Sequence, residues 1–212
     1  AYDAPTATVA ELPADVLADT AENDLPLQMA LLAAEEALDE AGQPDRRRLG
    51  VIYATTKADM SGICGDGRGL GSPQRLALQL ATALGSELWP ASLSCACASG
   101  VQGVAAAARR IAAGEWDRAI VLASDVINEF ILRGFGGMGA LDPERCRPFD
   151  EHRRGVSLGD GAGAIVLSYD QRESIGVRVS GWAGANDACH VTGPEAEGLG
   201  VGLAAKRAVA HA

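Results

Sequence analysis

Cys97 stands in Leu93-Ser94-Cys95-Ala96-Cys97-Ala98-Ser99-Gly100, where a short apolar run gives way to a helix whose first turn is built from very small side chains. The first-turn amides of a helix have no intrahelical partner and carry partial positive charge, so a thiolate at that end is stabilised. That is the condition for covalent acyl chemistry at neutral pH. On the residues alone the plainer reading stays open, because free cysteines are common as small buried hydrophobes. Cys95, two residues ahead, shares a face with Cys97 if the segment is extended, and reads as a buried filler rather than a redox partner.

Other reactive side chains point elsewhere. The five cysteines, Cys64, Cys95, Cys97, Cys146 and Cys189, are odd in number and lack paired C-x-x-C spacing, which disfavours a disulfide framework and a zinc site and fits a reducing, cytoplasmic compartment. The glycines between 155 and 163 suggest a phosphate cradle only superficially: no Lys-Ser/Thr pair follows and no helix is expected there, so close packing and tight turns are the better reading. Asp150 and Asp160 read as anchors of loop hydrogen bonds rather than as an acid/base pair. Of the three histidines, His152 sits in a polar loop, His211 lies at the chain end and His190 reads as a structural hydrogen-bonding residue. An unrelated cysteine hydrolase pairing Cys97 with one of them is the outside alternative.

The elements that must position Cys97 follow from periodicity. Residues 1–23 are polar and aperiodic, an extended lead-in. Asp24 and Pro26 then open a helix with Leu27, Leu31, Ala34, Leu38 and Ala41 at helical spacing, stopped by Gly42 and Pro44. Leu49 to Thr55 reads as a buried strand, and 57–71 as a glycine-rich loop, either lid or connecting surface. Ser72-Pro73 starts a second helix with Leu76, Leu80 and Leu84 inward and Gly85 at its end. Ala91 to Ser94 leads into the Cys97 helix, where Val101, Val104, Ala108 and Ile111 form one stripe before Gly114. Ala119 to Val126, Ala162 to Tyr169 and, more exposed, Ile175 to Ala185 are strand candidates, and Gly198 to Ala212 is a helix. Helix and strand alternate, which implies a mixed or parallel sheet with helices on its faces and one domain without a linker.

Composition narrows the function. The 212 residues are 48% hydrophobic, enough for a substantial core, and 26 glycines against nine aromatic residues indicate close backbone approach. A net charge of −10 argues against nucleic acid, whose binding needs a cationic excess. The basic clusters at Arg46-Arg47-Arg48, Arg109-Arg110 and Arg145 to Arg154 read first as solvated helix ends and loops. No apolar run approaches the roughly 20 residues that span a bilayer, so no membrane association is expected.

Three segments read in order carry a resemblance. Ser94-Cys95-Ala96-Cys97-Ala98-Ser99-Gly100 resembles the nucleophile motif of the β-ketoacyl synthases of fatty acid and polyketide synthesis. Cys146-Arg147-Pro148-Phe149-Asp150 with Gly155-Val156-Ser157-Leu158-Gly159-Asp160-Gly161-Ala162-Gly163 resembles their arginine-proline-aromatic-aspartate and glycine-rich stretch. Asp187-Ala188-Cys189-His190-Val191-Thr192 is similar to a further family segment, with Cys189 where an aromatic residue is usual. The resemblance runs from about the first helix to the C-terminus.

It implies an α/β thiolase-like layered fold, a mixed sheet flanked by helices, of which this chain is one of two similar halves. Residues 24–212 would be the N-terminal half, lacking the initial glycine-containing strand and the whole second half. The implied reaction loads an acyl group onto Cys97, whose own N–H helps hold the tetrahedral oxyanion, decarboxylates a malonyl unit and joins the carbanion to the acyl thioester. Phe135, in Gly134-Phe135-Gly136-Gly137, corresponds to an aromatic residue near the acyl pocket. No bound cofactor is implied; substrates ride on the phosphopantetheine of an acyl carrier protein. The family's enolate-stabilising histidines lie beyond residue 212, so a C-terminal half or second subunit is expected as partner, in a homo- or heterodimer. Met138 stands where relatives often carry arginine, leaving Arg147, Arg153 and Arg154 as carrier contacts. The rival reading within the family is a non-catalytic subunit that pairs with an active synthase.

Overall fold

The computed structural model describes residues 9–10, 25–57, 72–169, 177–190, 193 and 195–212. Its centre is a four-stranded sheet. β2 (Leu49–Ala54), β3 (Ala91–Leu93) and β4 (Arg118–Asp125) run parallel, and β6 (Gly161–Ser168) closes one side antiparallel to β4, giving the order β3-β2-β4-β6. A two-residue pair, β1 (Val9–Ala10) with β5 (Leu158–Gly159), lies apart from it.

Side-chain alternation along β2 and β4 assigns the two faces. Leu49, Val51, Tyr53, Ile120 and Leu122 meet α1 (Leu25–Glu40) and α2 (Pro73–Leu84) through Ala30, Ala34, Leu38, Leu76, Leu80 and Leu84. Ile52, Ala119 and Val121 point the other way, onto Ala107 and Ile111 of α3 (Ser99–Ala112) and onto Trp116. With both faces covered, β2 is buried at every residue, and each of its large apolar side chains contributes roughly 1.5–3 kcal/mol. The helix signals act as expected: Pro73 occupies the first turn of α2 behind Ser72, and Gly85 ends it at φ 74°.

Three expectations are corrected and one helix is added. Val101 is 73% exposed, whereas Val104, Ala108 and Ile111 lie inward as expected, joined by buried Gly103 and Ala107. A Cβ on Gly103 would lie 2.7 Å from Val121 Cγ1, so at that position the helix sits closer to the sheet than any side chain allows. Residues 177–185 form no strand, because alternating valines need a neighbour's amides and carbonyls and here find no ladder. α4 (Glu129–Gly137), which the sequence pattern hid behind three glycines, is capped by Asn128 Oδ1 accepting the Ile131 N–H at 3.1 Å. Cys95 is exposed rather than a buried filler. The proposed loop lies almost wholly outside the described residues, since 58–71 are not described; so do the N-terminal lead-in, apart from β1, and the cap at Asp24. α5 (Leu199–His211) forms as expected but buries none of its residues.

Candidate active site

The three parallel strands deliver their carboxyl ends to one edge of the sheet, and Cys97 follows the end of β3. β3 itself is held by α2: Gln74 Nε2 donates to Pro90 O at 3.1 Å, and Ser92 Oγ meets Gln74 Oε1 at 3.1 Å. Beyond Leu93 the chain makes two consecutive tight turns. Ala98 N donates to Cys95 O and Ser99 N to Ala96 O, both at 3.1 Å, and only then does α3 begin. Ala96 takes φ 50°, a value that glycine ordinarily supplies. The turn lifts Cys97 into solvent, where it is exposed.

The helix start therefore lies two residues past the thiol. Ala98 at the N-cap has no side-chain oxygen to offer. Ser99 supplies the polar anchor instead, a residue that the sequence pattern passed over as merely small. Its side chain is buried; the hydroxyl accepts the Cys95 N–H at 2.8 Å and shares its own proton between Thr55 O at 3.0 Å and Ala96 O at 2.6 Å. Ser94 Oγ adds a bond to Thr56 O at 3.0 Å. The elbow is thus stitched on both sides to the end of β2.

Phe135 is half-buried on α4, which leaves the same sheet edge as the continuation of β4. Asp160 supports that departure by accepting the Ile127 N–H at 2.7 Å, and Asp150 accepts the His152 N–H at 2.7 Å. Both carboxylates serve loop geometry, as their contexts suggested. Gly155 is required by packing: a Cβ there would come within 2.5 Å of Asp142 N. Asp142 is wholly buried against this loop, its Oδ1 accepting the Glu144 N–H at 2.9 Å and facing Arg154 Nη2 at 3.2 Å. The Glu144 N–H, then Arg154 and Arg147, hold its carboxyl below the usual range against the cost of burial. Arg154 also reaches Glu144 Oε2 at 3.0 Å and Arg153 Nη1 donates to Asp150 O at 3.1 Å, while both, like Arg145 and Arg147, are exposed.

The histidines have separate occupations. His152 faces Glu151 at 3.5 Å, His190 Nδ1 accepts the Gly193 N–H at 3.0 Å, and the His211 ring lies 4.5 Å from Trp182. These surroundings give no support to a cysteine–histidine hydrolase pair. A second thiol does draw notice: the Ser157 hydroxyl and backbone beside half-buried Cys146, helped by Arg145, lower its pKa. No group of three or more metal-ligating side chains occurs among the described residues.

The family model for the Beta-ketoacyl synthase, N-terminal domain, matches residues 17–173, which contain the elbow, α4 and the glycine-rich stretch. The chain belongs to the β-ketoacyl synthase family. Nodulation protein E of Rhizobium meliloti is 31% identical over 194 residues, covering 80% of this chain and 48% of that protein. The 3-oxoacyl-[acyl-carrier-protein] synthase 2 of Vibrio harveyi is 28% identical over 225 residues, covering 92% and 54%. Among solved structures, the ishigamide ketosynthase/chain length factor superposes with a TM-score of 0.74 at 27% identity, over 90% of this chain and 55% of that one. The mixed sheet flanked by helices is therefore the layered, thiolase-like ketosynthase fold, and this ketosynthase-family chain spans about half the length of the curated relatives it matches. No helix among the described residues is long and apolar enough to cross a membrane.

Proposed function

We propose that this chain carries the acyl-accepting cysteine of a β-ketoacyl-[acyl carrier protein] synthase of fatty acid or polyketide synthesis. Cys97 is the nucleophile and its N–H an oxyanion donor; Phe135 borders the acyl chain. The observation that carries the reading is the elbow: an exposed thiol at a strand-to-helix turn whose positive φ at Ala96 is held by the buried Ser99 hydroxyl. Strain over-determined by its surroundings is a mark of sites where geometry matters. Residues 1–23 act as a lead-in and 24–212 as the nucleophile-bearing domain.

The histidines of this chain are occupied elsewhere, so the donors that stabilise the enolate after decarboxylation come from a complementary half or second subunit, paired as a homo- or heterodimer. The acyl carrier protein presents both substrates on phosphopantetheine, and acidic carriers meet Arg147, Arg153 and Arg154. Alone, the chain accepts an acyl group but does not condense it. Assaying condensation by the chain with its complement, with and without Cys97→Ala, tests this. Loss of activity by at least about a thousandfold is expected for a covalent nucleophile. Unchanged activity would instead favour a non-catalytic subunit that shapes its partner's pocket.

A further inference from the structure

The ladder between β2 and β4 ends at Ala54 and Ala123, yet the two chain ends do not separate. Asp125, two residues further along β4, takes over from the backbone. Its Oδ1 lies 2.8 Å from Thr55 Oγ1 and 3.0 Å from Thr56 Oγ1, and its carboxylate receives the Thr56 N–H at 3.0 Å on Oδ2 and 3.3 Å on Oδ1. Lys57 Nζ completes the set, 3.3 Å from Oδ1 and 3.1 Å from Thr56 Oγ1. The far end of β4 is in turn fixed to α1, since Ser124 Oγ donates to Pro26 O at 2.7 Å, and to Tyr53, whose hydroxyl lies 3.1 Å from Ser124 O.

The residues gathered by Asp125 are those that hold the Cys97 elbow. Thr55 O receives the Ser99 hydroxyl and Thr56 O receives the Ser94 hydroxyl. One carboxylate thus governs two successive peptide units, and each of those offers its carbonyl to one side of the turn. An ordinary strand end would leave these carbonyls to solvent, with no fixed direction.

We propose that Asp125 is a positioning residue for Cys97. By fixing the Thr55 and Thr56 carbonyls it sets the turn that aims the Cys97 thiol and N–H at an incoming thioester. This rests on the reading of Cys97 as the acyl acceptor. Acyl transfer needs sulfur and oxyanion donor placed together, whereas alkylation of the thiol by iodoacetamide needs only the sulfur. A positioning role therefore moves the first rate and spares the second; a role in stability alone moves both with the melting temperature.

The test uses the full chain, an activated acyl thioester and, separately, iodoacetamide, with both labels located at Cys97 by peptide mass mapping. Asp125→Asn, which removes the charge and turns an N–H donor toward the Thr56 amide, should slow acyl loading about 10- to 100-fold while alkylation stays within about twofold. Asp125→Glu should restore most of the rate. Thr56→Val, which keeps the shape and the carboxylate but deletes one donor, should give a smaller loss in the same direction, and it decides the matter if Asp125→Asn does not fold. Loading at the wild-type rate in the variants, or acylation and alkylation falling together with thermal stability, overturns the proposal. Absence of any acyl label on Cys97 in the unsubstituted chain overturns the reading beneath it, and is seen before any variant is made.

Discussion

At Ala96 the backbone adopts φ 50°, and a methyl group there is tolerated at the cost that a β-branched side chain would multiply. Ala96→Gly relieves the strain but loosens the unfolded chain, two effects of about 0.5–1 kcal/mol and opposite sign, so its unfolding free energy in urea should stay within about 1 kcal/mol of the parent. Ala96→Val has no such offset and should lose about 1–3 kcal/mol. Asp142 makes a pH prediction. Its folded-state pKa is depressed by the Glu144 N–H and by Arg154 and Arg147, so its contribution is complete above the unfolded-state value of about 3.9 and is lost as pH falls through the depressed folded value. Melting temperatures measured from pH 7 downward should therefore fall through the acid range, and Asp142→Asn should start lower at pH 7 and show a shallower acid limb. An Asn variant with an unchanged acid limb would assign that dependence to other carboxylates.

Among the elements, α3 matters most for the site because the elbow is its leading edge. Gly103 allows the helix to lie close on Val121, because an added Cβ would fall 2.7 Å from Val121 Cγ1 and clash. Gly103→Ala should therefore push the helix outward, costing about 1–3 kcal/mol by urea unfolding and slowing acyl loading of Cys97 as the turn shifts. Much of this frame was legible in the sequence, for identifiable reasons. Pro73 and Gly85 bracket α2 because their backbone constraints are local, and the unbroken apolar run of β2 reads as a strand covered on both faces. The strand-to-helix turn at Cys97 was legible through its small residues. What stayed hidden depends on distance along the chain: Asp125 meets Thr55 and Thr56 about seventy positions away, and nothing in Ala123-Ser124-Asp125 announces that meeting. Gly134, Gly136 and Gly137 concealed α4, which is marked instead by the Asn128 cap and the Glu129–Arg133 pair one turn apart. The alternation at 177–185 misled in the opposite sense, since period alone supplies no partner strand.

Across the whole molecule, charge and apolar surface tell different stories. The basic clusters largely spend themselves internally: Arg46 on Glu35, Arg47 on Glu87, Arg48 on Asp117, and Arg110 on Glu115 while stacking over Trp116. Exposed pairs of this kind stabilise little. Apolar residues on α5 and β6 are left open instead, Val201 and Val209 at 70% and 77% exposure and Ile165 at 55%. Such surface favours association. The chain alone should show concentration-dependent sedimentation, reduced by Val201→Lys with Val209→Lys at unchanged melting temperature; a monomer at all concentrations would contradict this. The central claim concerns a single sulfur. Incubating the intact chain with an activated acyl thioester and weighing it should reveal one added acyl group, mapped to the peptide holding Cys97 and absent from Cys97→Ser. An acyl group that persists in Cys97→Ser, or that maps to Cys146, would contradict the account.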